Sequence, residues 1–285
     1  MKELFNLPAF IFFDKDIQNL TKLKKLKLFF KGIYFIYVFK YTKGSFFCFC
    51  CNLLYRKNGK LSFENGMYTK KMGNKKIHYP NKRIHRVMVD YKKHLSRLFE
   101  WYQLDKISFN KGDIIIDCGA NVGELFYSFE DKNLDIEYIG IEPDNEVFKS
   151  LSINLKDSQI LNKALGKENA YKNLYIDTEG ANTSLVDFGS RTEYKVETVT
   201  LDSLNLVKIK LLKIDAEGYE PEVLEGAANT LGQIEYIAVD YGNERGMDNK
   251  STLVEVTNFL YGSGFKLVAE GSVRKVGLFK NSQLS

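Results

Sequence analysis

An apolar run, a glycine turn and a helical repeat follow one another near the middle of the chain. Residues Ile114–Ile116 are β-branched and apolar, which is typical of a strand buried on both faces of a parallel sheet. Gly119 and Gly123 follow it and permit a sharp turn with a close backbone approach. Apolar residues then recur at helical spacing from Val122 to Phe129. This order predicts the first unit of a nucleotide-binding α/β sheet.

The alternation of strands and helices continues to the end of the chain. We predict further strands over Ile136–Ile141, Gln159–Leu165, Tyr171–Asp177, Tyr194–Thr200, Lys210–Asp215 and Ile234–Asp240. A terminal hairpin, Phe265–Glu270 with Arg274–Lys280, closes the pattern. The order predicts an α/β protein with a doubly wound, mostly parallel sheet and a C-terminal antiparallel hairpin.

The chain before residue 111 has a different pattern. Residues 59–92 predict β-hairpins, with turn signals at Asn58-Gly59, Asn65-Gly66, Gly73-Asn74 and Pro80-Asn81. Tyr91–Gln103 predicts a helix that packs on the core. We therefore divide the chain into a basic and apolar extension (1–58), an α+β segment (59–110) and the main domain (111–285).

The extension admits two interpretations. Five apolar residues approximate one helical stripe interleaved with lysines: Leu20, Leu23, Leu26, Phe30 and Ile33. The charge-free runs that follow are shorter than the ~20 residues needed to span a bilayer. The stripe either packs against the main domain or lies on an anionic membrane surface. We favour packing, because amphipathic helices more often face a protein core.

Charge is distributed unevenly along the chain. The net charge is +5, but residues 1–111 hold 24 Lys+Arg against 7 Asp+Glu, whereas the remainder holds 17 against 29. The basic part predicts an acidic partner, such as lipid headgroups, a phosphorylated substrate or nucleic acid, unless it is only a lysine-rich surface.

The cysteines predict neither a disulfide framework nor a metal site. There are four, and no second Cys or His pair at zinc spacing accompanies Cys48, Cys50 and Cys51. We expect reduced thiols and a cytoplasmic protein, at the inner face of the membrane if the stripe binds lipid.

Acidic residues fall where predicted strands end, at Asp117, Glu142, Asp215 and Asp240. The carboxyl ends of the strands form the ligand crevice of such sheets, and Glu142 is placed to accept hydrogen bonds from both hydroxyls of a ribose. The turn reads Asp-x-Gly-x-x-x-Gly instead of the Gly-x-Gly-x-x-Gly that binds a pyrophosphate. An acid before the turn would repel a diphosphate but suits the ammonium and sulfonium groups of S-adenosylmethionine (SAM).

A series of short motifs runs in order through residues 90–281. They are Ile116–Gly123, Ile141–Pro143 leading to Asn154, Ala164–Gly166, Val199–Leu204, Leu212–Glu220, Val223–Ala227, Asp240–Arg245 and Leu278–Asn281. Together, and most specifically at Leu212–Glu220, they resemble the FkbM-type SAM-dependent methyltransferases.

The resemblance implies a Rossmann-like class I methyltransferase fold and methyl transfer to a hydroxyl of a sugar or polyketide-like acceptor. Our leading hypothesis is an O-methyltransferase that acts on a sugar or glycan of the cell envelope or capsule. The resemblance also implies that the SAM site contains Asp117, Gly119, Ala120, Asn121, Gly123, Glu142, Asn162, Lys163, Ala164 and Asp215. The candidate general bases are Asp215 first, then Asp240 and Glu217, with Glu244 close in sequence.

Two other classes stay open from the residues alone. One is a nicotinamide-dependent oxidoreductase, and the other is a non-catalytic module that binds a glycan or a membrane. For the leading hypothesis we expect a small-molecule or lipid-linked glycan as substrate and no nucleic acid. The sequence does not specify an oligomeric state.

Overall fold

The computed structural model describes residues 21–56, 59–176, 183–190 and 192–284. Leu20 of the predicted stripe, Asn58 of a predicted turn and Asp177 of a predicted strand lie outside the described residues.

The chain forms two compact units that divide between His94 and Leu95. This division differs from the predicted boundaries after residues 58 and 110. The difference arises because Phe99, Tyr102 and Leu104 belong to a hydrophobic core of the larger unit.

The smaller unit combines two helices with a three-stranded meander. Its elements are α1 (Lys22–Tyr41), α2 (Gly44–Tyr55), β1 (Leu61–Glu64), β2 (Met67–Met72), β3 (Lys75–Tyr79) and a 3-10 helix (Lys82–Val87). The strands pair antiparallel in the order β1-β2-β3. Asn65 and Gly66 form the first turn with φ values of 51° and 79°, as a type I′ hairpin turn requires. The predicted hairpins are confirmed at both turns of this meander.

The predicted turn at Pro80-Asn81 does not make a hairpin. Asn81 instead caps the 3-10 helix, where its side-chain oxygen accepts a hydrogen bond from the Arg83 N–H at 3.0 Å. The prediction failed because asparagine favours helix caps as well as hairpin turns.

Helix α1 does not pack through the predicted stripe. Its buried residues are Gly32, Phe35 and Val38. Leu23, Leu26 and Phe30 are exposed instead. Phe35 packs edge-on against Tyr55 of α2, with ring centroids 6.3 Å apart, and this aromatic contact decides which face turns inward. Packing of α1 against protein is thus observed, but through a face other than the predicted stripe, and packing against the main domain stays a prediction.

The larger unit alternates strands and helices. Its strands are β4 (Ile114–Cys118), β5 (Glu137–Ile141), β6 (Gln159–Leu161), β7 (Ala164–Leu165), β8 (Ala170–Ile176), β9 (Thr183–Ser184), β10 (Thr192–Val199), β11 (Ile209–Ile214), β12 (Ile234–Asp240), β13 (Asn243–Arg245), β14 (Lys250–Ser251), β15 (Phe265–Glu270) and β16 (Val276–Asn281). Its helices are α4 (Glu124–Asp131), α5 (Asn145–Asn154), α6 (Glu220–Glu225) and α7 (Leu253–Gly262), and α3 (Tyr91–Trp101) includes the point of division. Short 3-10 helices span Leu104–Lys106, Asp202–Leu204 and Leu231–Gln233.

The main sheet has the order β15-β16-β12-β11-β4-β5-β6. The five strands from β12 to β6 are parallel, whereas β16 is antiparallel to both β12 and β15. Consecutive residues of a strand point to opposite faces of the sheet and belong to two different hydrophobic cores. One core contains Ile115, Leu211 and Ala238, and the other contains Ile116, Leu212 and Val239. Both faces of the sheet are covered. The doubly wound α/β fold with its terminal hairpin is confirmed.

The predicted strand Gln159–Leu165 is in fact two strands in two sheets. Strand β6 is the edge of the main sheet, whereas β7 pairs with β10 in a second sheet of order β7-β10-β8-β9. The break falls at Asn162, whose side-chain amide donates a hydrogen bond to the Glu142 carbonyl at 3.0 Å. The apolar pattern alone does not reveal this change of partner.

Candidate active site

The turn after β4 is tightly confined. Gly119 has a φ of +77°, and a Cβ there would lie 2.1 Å from the Asp215 carbonyl oxygen. Gly123 has a φ of +88° and precedes α4, where a Cβ would lie 2.1 Å from Cδ1 of Leu155. Space and backbone conformation therefore both require glycine at these positions. The turn presents bare backbone at the carboxyl edge of the sheet.

Asn121 links this turn to the end of the neighbouring strand. Its φ is +50°, and its Oδ1 accepts a hydrogen bond from the Val122 N–H at 2.9 Å. Its own N–H donates to Oε2 of Glu142 at 2.9 Å. The Ala120 N–H donates to the Ile141 carbonyl at 3.0 Å. The structure thus brings the predicted turn together with the predicted ribose-binding acid.

The Glu142 carboxylate is fixed in direction and almost fully buried, with 4% of the residue exposed. Its Oε1 accepts a hydrogen bond from the Asp144 N–H at 2.9 Å, and its Oε2 accepts from Asn121. Burial raises the pKa of Glu142 to about 7. A carboxylate offers about four acceptor positions, so capacity remains for a diol.

Three further residues of the predicted SAM site, Asn162, Lys163 and Ala164, belong to the link between the two sheets. Asn162 binds the carbonyl of Glu142, as described above. Lys163 forms an ion pair with Glu197 of β10 at 2.6 Å, and Ala164 is buried in β7. Of these three residues, Asn162 is the one that is hydrogen-bonded to Glu142.

Asp117 lies inside the protein framework. It is 1% exposed, and its Oδ1 is 2.8 Å from Nζ of Lys213, while its Oδ2 accepts a hydrogen bond from the Tyr138 hydroxyl. Lys213 also donates to the carbonyls of Cys118 at 3.0 Å and Gly119 at 2.8 Å. Although burial lowers the pKa of Lys213, the charge of Asp117 raises it overall. The charged pair therefore fixes the backbone of the glycine turn from inside the protein.

A second acidic group forms where β11 and β12 end. Asp215 Oδ2 accepts hydrogen bonds from the Tyr102 hydroxyl at 2.5 Å and from Nη2 of Arg274 at 3.2 Å. The same Nη2 is 2.7 Å from Oδ2 of Asp240. Nη1 of Arg274 donates to the Tyr102 hydroxyl at 3.1 Å. One guanidinium thus bridges the two predicted catalytic aspartates.

Hydrogen bonds to Glu220 and from Arg245 fix the conformation of the loop after Asp215. Glu220 accepts hydrogen bonds from the N–H groups of Ala216 at 3.1 Å and Gly218 at 2.9 Å. Arg245 donates to the Gly218 carbonyl at 2.6 Å, and a Cβ on Gly218, where φ is +96°, would lie 2.6 Å from Cα of Arg245. These contacts hold Glu217 at a φ of +50°.

Glu217 and Glu244 join Asp215 at this edge. Each of the three offers a carboxylate oxygen, and these atoms lie within 4.8 Å of one another. Asp240 adds a fourth acid next to Arg274. This spacing admits a divalent cation and equally allows neighbouring acids to share a proton.

Two of these acids have pKa values near neutrality. Burial and then the charge of Asp215 raise the pKa of Asp240 to about 6, although Arg274 opposes the shift. Burial, Asp215 and Asp240 raise the pKa of Glu244 to about 7. An acid with such a pKa can accept a proton at physiological pH.

Sequence reasoning did not assign roles to Lys213, Arg274, Tyr102 and Tyr138. A lysine inside the buried strand β11 was a usable signal, because it requires an acidic partner. Arg274 could have been found from pairing, since β16 runs antiparallel to β12 and Val276 lies opposite Asp240. Tyr102 follows helix α3 and carried no such signal.

A concave space of about 470 Å³ lies at the other end of the strands. It is lined by Asp113, Lys208, Ile209, Lys210, Gln233, Glu235, Gln283 and Leu284, which precede or begin β4, β11 and β12 or follow β16. The carboxyl edge is the better candidate, because the glycine turn and the acids with raised pKa values meet there.

Comparison with solved structures gives distant likenesses. The FkbM methyltransferase from Methylobacillus flagellatus is 16% identical, with a TM-score of 0.47, and the alignment covers 69% of this chain and 56% of that one. M. capricolum TrmK, solved with S-adenosyl-homocysteine, is 11% identical with a TM-score of 0.40, and the alignment covers 65% of this chain and 68% of that one. Streptococcus pneumoniae Sp1610, solved with SAM, is 13% identical with a TM-score of 0.39, covering 68% and 74%. This chain thus spans little more than half of the Methylobacillus protein.

The family comparison is more direct. A search of curated proteins finds no match. The family model described as the methyltransferase FkbM domain matches residues 117–267, which include the glycine turn, Glu142 and the acids after β11 and β12. The oxidoreductase alternative is therefore wrong. The chain belongs to the FkbM family of SAM-dependent methyltransferases, as its motifs predicted.

Proposed function

We propose that this chain transfers a methyl group from SAM to a hydroxyl oxygen of a sugar or glycan acceptor. The observation that carries the proposal is the meeting of acids with raised pKa values at the carboxyl edge of a methyltransferase sheet. Hydroxyl acceptors require such a group, because an alcohol is a weak nucleophile until its proton is shared.

The cofactor fits the residues on the other side of the same edge. Gly119 leaves no room for a Cβ, so a ligand there meets backbone, and Glu142 keeps acceptor capacity for two hydroxyls. The Asp117–Lys213 pair holds this turn in place. When bound, SAM supplies an electrophilic methyl group on a sulfonium.

We assign the proton acceptor to Glu244 in place of Asp215, the first candidate from sequence. Asp215 accepts hydrogen bonds from Tyr102 and Arg274, and these stabilise its charged form. Glu244 is only partly buried, its Oε2 has no hydrogen-bond partner among the described residues, and its pKa is raised to about 7. In this assignment Arg274 holds Asp215 and Asp240, and Glu244 takes the hydroxyl proton.

A polyhydroxylated acceptor suits this edge. Oε2 of Glu244 has no hydrogen-bond partner in the part of the chain that the structure describes, and carboxylates accept hydrogen bonds from the several hydroxyls of a sugar. The acids also disfavour a phosphate-rich acceptor such as nucleic acid at this point. This charge supports a neutral glycan moiety as the group that is methylated.

The test is turnover with SAM against a panel of nucleotide sugars and oligosaccharides, read as S-adenosyl-homocysteine formation and as the mass of the product. We expect an O-methylated sugar from at least one acceptor. Its methyl group should resist release by base, because a methyl ether, unlike a methyl ester, is not hydrolysed by base. Methylation of an amine in the same panel, with no hydroxyl product, would contradict the oxygen specificity. SAM binding without turnover on any acceptor would favour the non-catalytic module instead.

A further inference from the structure

Helix α1 exposes a long apolar stripe. At 3.6 residues per turn, positions 23, 26, 30, 37 and 41 fall within about 60° of arc on the helix surface. The residues there are Leu23, Leu26, Phe30, Tyr37 and Tyr41, which are 63%, 51%, 61%, 61% and 67% exposed. The packing face is separate, since it runs through Gly32, Phe35 and Val38.

Helix α2 repeats this arrangement. Phe46, Phe49 and Leu53 are about 60% exposed, while Phe47 and Cys51 are fully buried on the packing side. Phe46 and Phe49 stack with ring centroids 6.4 Å apart. Two consecutive helices thus each present aromatic and aliphatic side chains to solvent, which is costly unless a partner covers them.

The charge around these stripes has one sign. Residues 21–56 contain eight Lys and Arg residues and no Asp or Glu. Around α1, Lys22 and Lys40 flank the stripe on one side and Lys27 and Lys31 on the other, at helical spacing. Apolar side chains bordered by lysines are typical of helices that lie in the headgroup region of anionic membranes.

We propose that the exposed faces of α1 and α2 bind the surface of an anionic lipid bilayer. Charge selects this occupant, because a second copy of the same all-basic face would be repelled whereas anionic headgroups are attracted. Among the residues described by the structure, no helix is long and apolar enough to cross a membrane. The helices therefore lie along the surface, with the aromatic residues at the depth of the headgroups.

Vesicle co-sedimentation of the full chain tests the proposal. We expect binding to phosphatidylcholine vesicles that contain phosphatidylglycerol, little binding to phosphatidylcholine alone, and release by high salt. Lys22→Glu, Lys24→Glu and Lys27→Glu combined should weaken binding by about 100-fold or more, since each basic residue near the surface contributes about five-fold. Phe46→Ser, Phe49→Ser and Leu53→Ser combined should weaken it by about ten-fold or more.

Matched controls separate this surface from general charge and hydrophobicity. Lys156→Glu, Lys195→Glu and Lys266→Glu combined change the net charge equally at exposed sites of the larger unit. Val207→Ser, Val254→Ser and Val268→Ser combined remove exposed apolar residues from the larger unit. Both controls should bind vesicles as the unchanged protein does.

Three results would overturn the proposal. The first is equal binding to vesicles with and without phosphatidylglycerol, and the second is equal loss in a test variant and its control. The third is no vesicle binding together with self-association that the Phe46, Phe49 and Leu53 changes abolish, because the face would then be an interface between copies.

Circular dichroism checks that each variant is folded. The Lys→Glu changes should not unfold α1, because acidic residues in the first turns of a helix interact favourably with the helix dipole. SAM binding is measured on the same variants and should not change, so this test is independent of the proposed reaction.

Discussion

Two acidic groups lie at the same edge of the main sheet but differ in charge balance. After β4, Asp117 is paired with Lys213 and hydrogen-bonded to Tyr138, so its charge is matched and enclosed. After β11 and β12, Arg274 pairs with both Asp215 and Asp240, and carboxylate oxygens of Glu217 and Glu244 lie within 4.8 Å of one from Asp215.

This difference favours a structural role for the first group and a chemical role for the second. A matched buried pair fixes geometry and is costly to break. Acids in excess raise one another's pKa values and can exchange protons near neutral pH. In the proposed function, the β4 side holds the turn that would receive the cofactor, and the β11–β12 side is the proposed place of proton transfer.

The largest expected effect is on turnover. Glu244→Gln should lower kcat by about 10²–10⁴-fold, because the amide cannot accept the acceptor proton, while SAM affinity stays within about three-fold. Steady-state kinetics and calorimetry measure the two quantities. The control is Asp248→Asn, a nearby exposed acid that should leave kcat unchanged. An active Glu244→Gln with an inactive Asp215→Asn would return the base to Asp215.

Lys213→Met tests the structural role of the buried Asp117–Lys213 pair. The substitution leaves Asp117 as an unpaired buried acid and should cost about 3–5 kcal/mol of unfolding free energy. Urea denaturation measures the loss. Lys210→Met is the matched control on the same strand: it removes a more exposed pair with Glu235 and should cost about 1 kcal/mol. Similar costs for the two variants would remove the distinction between the two acidic groups.

The confinement of the turn is tested by two glycines with similar φ. Gly112 has a φ of +79° and open space, so Gly112→Ala should cost about 1–2 kcal/mol from backbone conformation alone. Gly119→Ala adds a clash with the Asp215 carbonyl and should cost about 1–3 kcal/mol more. Thermal and urea unfolding of both variants give the difference. Equal costs would show that the turn can move away from the loop after β11.

The smallest effect concerns cofactor affinity. Glu142→Ala should weaken SAM binding by about 1–3 kcal/mol, the loss expected for charge-assisted hydrogen bonds, whereas Glu146→Ala, an exposed acid in the first turn of α5, should not. Because the pKa of Glu142 is raised to about 7, its charged form is lost as the pH falls through 7. SAM affinity should therefore fall below pH 7 in the unchanged protein and become nearly flat with pH in Glu142→Ala. Calorimetry across this range would contradict the assignment if the two profiles coincide.

The sequence by itself determined the parallel sheet, the turn at Gly119 and Gly123, and the acids at strand ends. These follow from local rules, since a buried parallel strand needs an apolar run and a crowded turn needs glycine. Family motifs along the same strands then led to SAM. Local pattern was sufficient here because each feature lies within a few consecutive residues.

Only the tertiary structure decided the charge balance at the site and the face that α1 exposes. Tyr102 and Asp215 are joined across 113 positions and Arg274 reaches Asp215 across 59, so no local pattern reports either contact. The apolar stripe of α1 is likewise compatible with either burial or exposure. The structure shows that another face of the helix is buried, where Phe35 packs against Tyr55. Hydrophobic periodicity fixes which residues share a face, but the partner that covers the face is set by packing between distant segments.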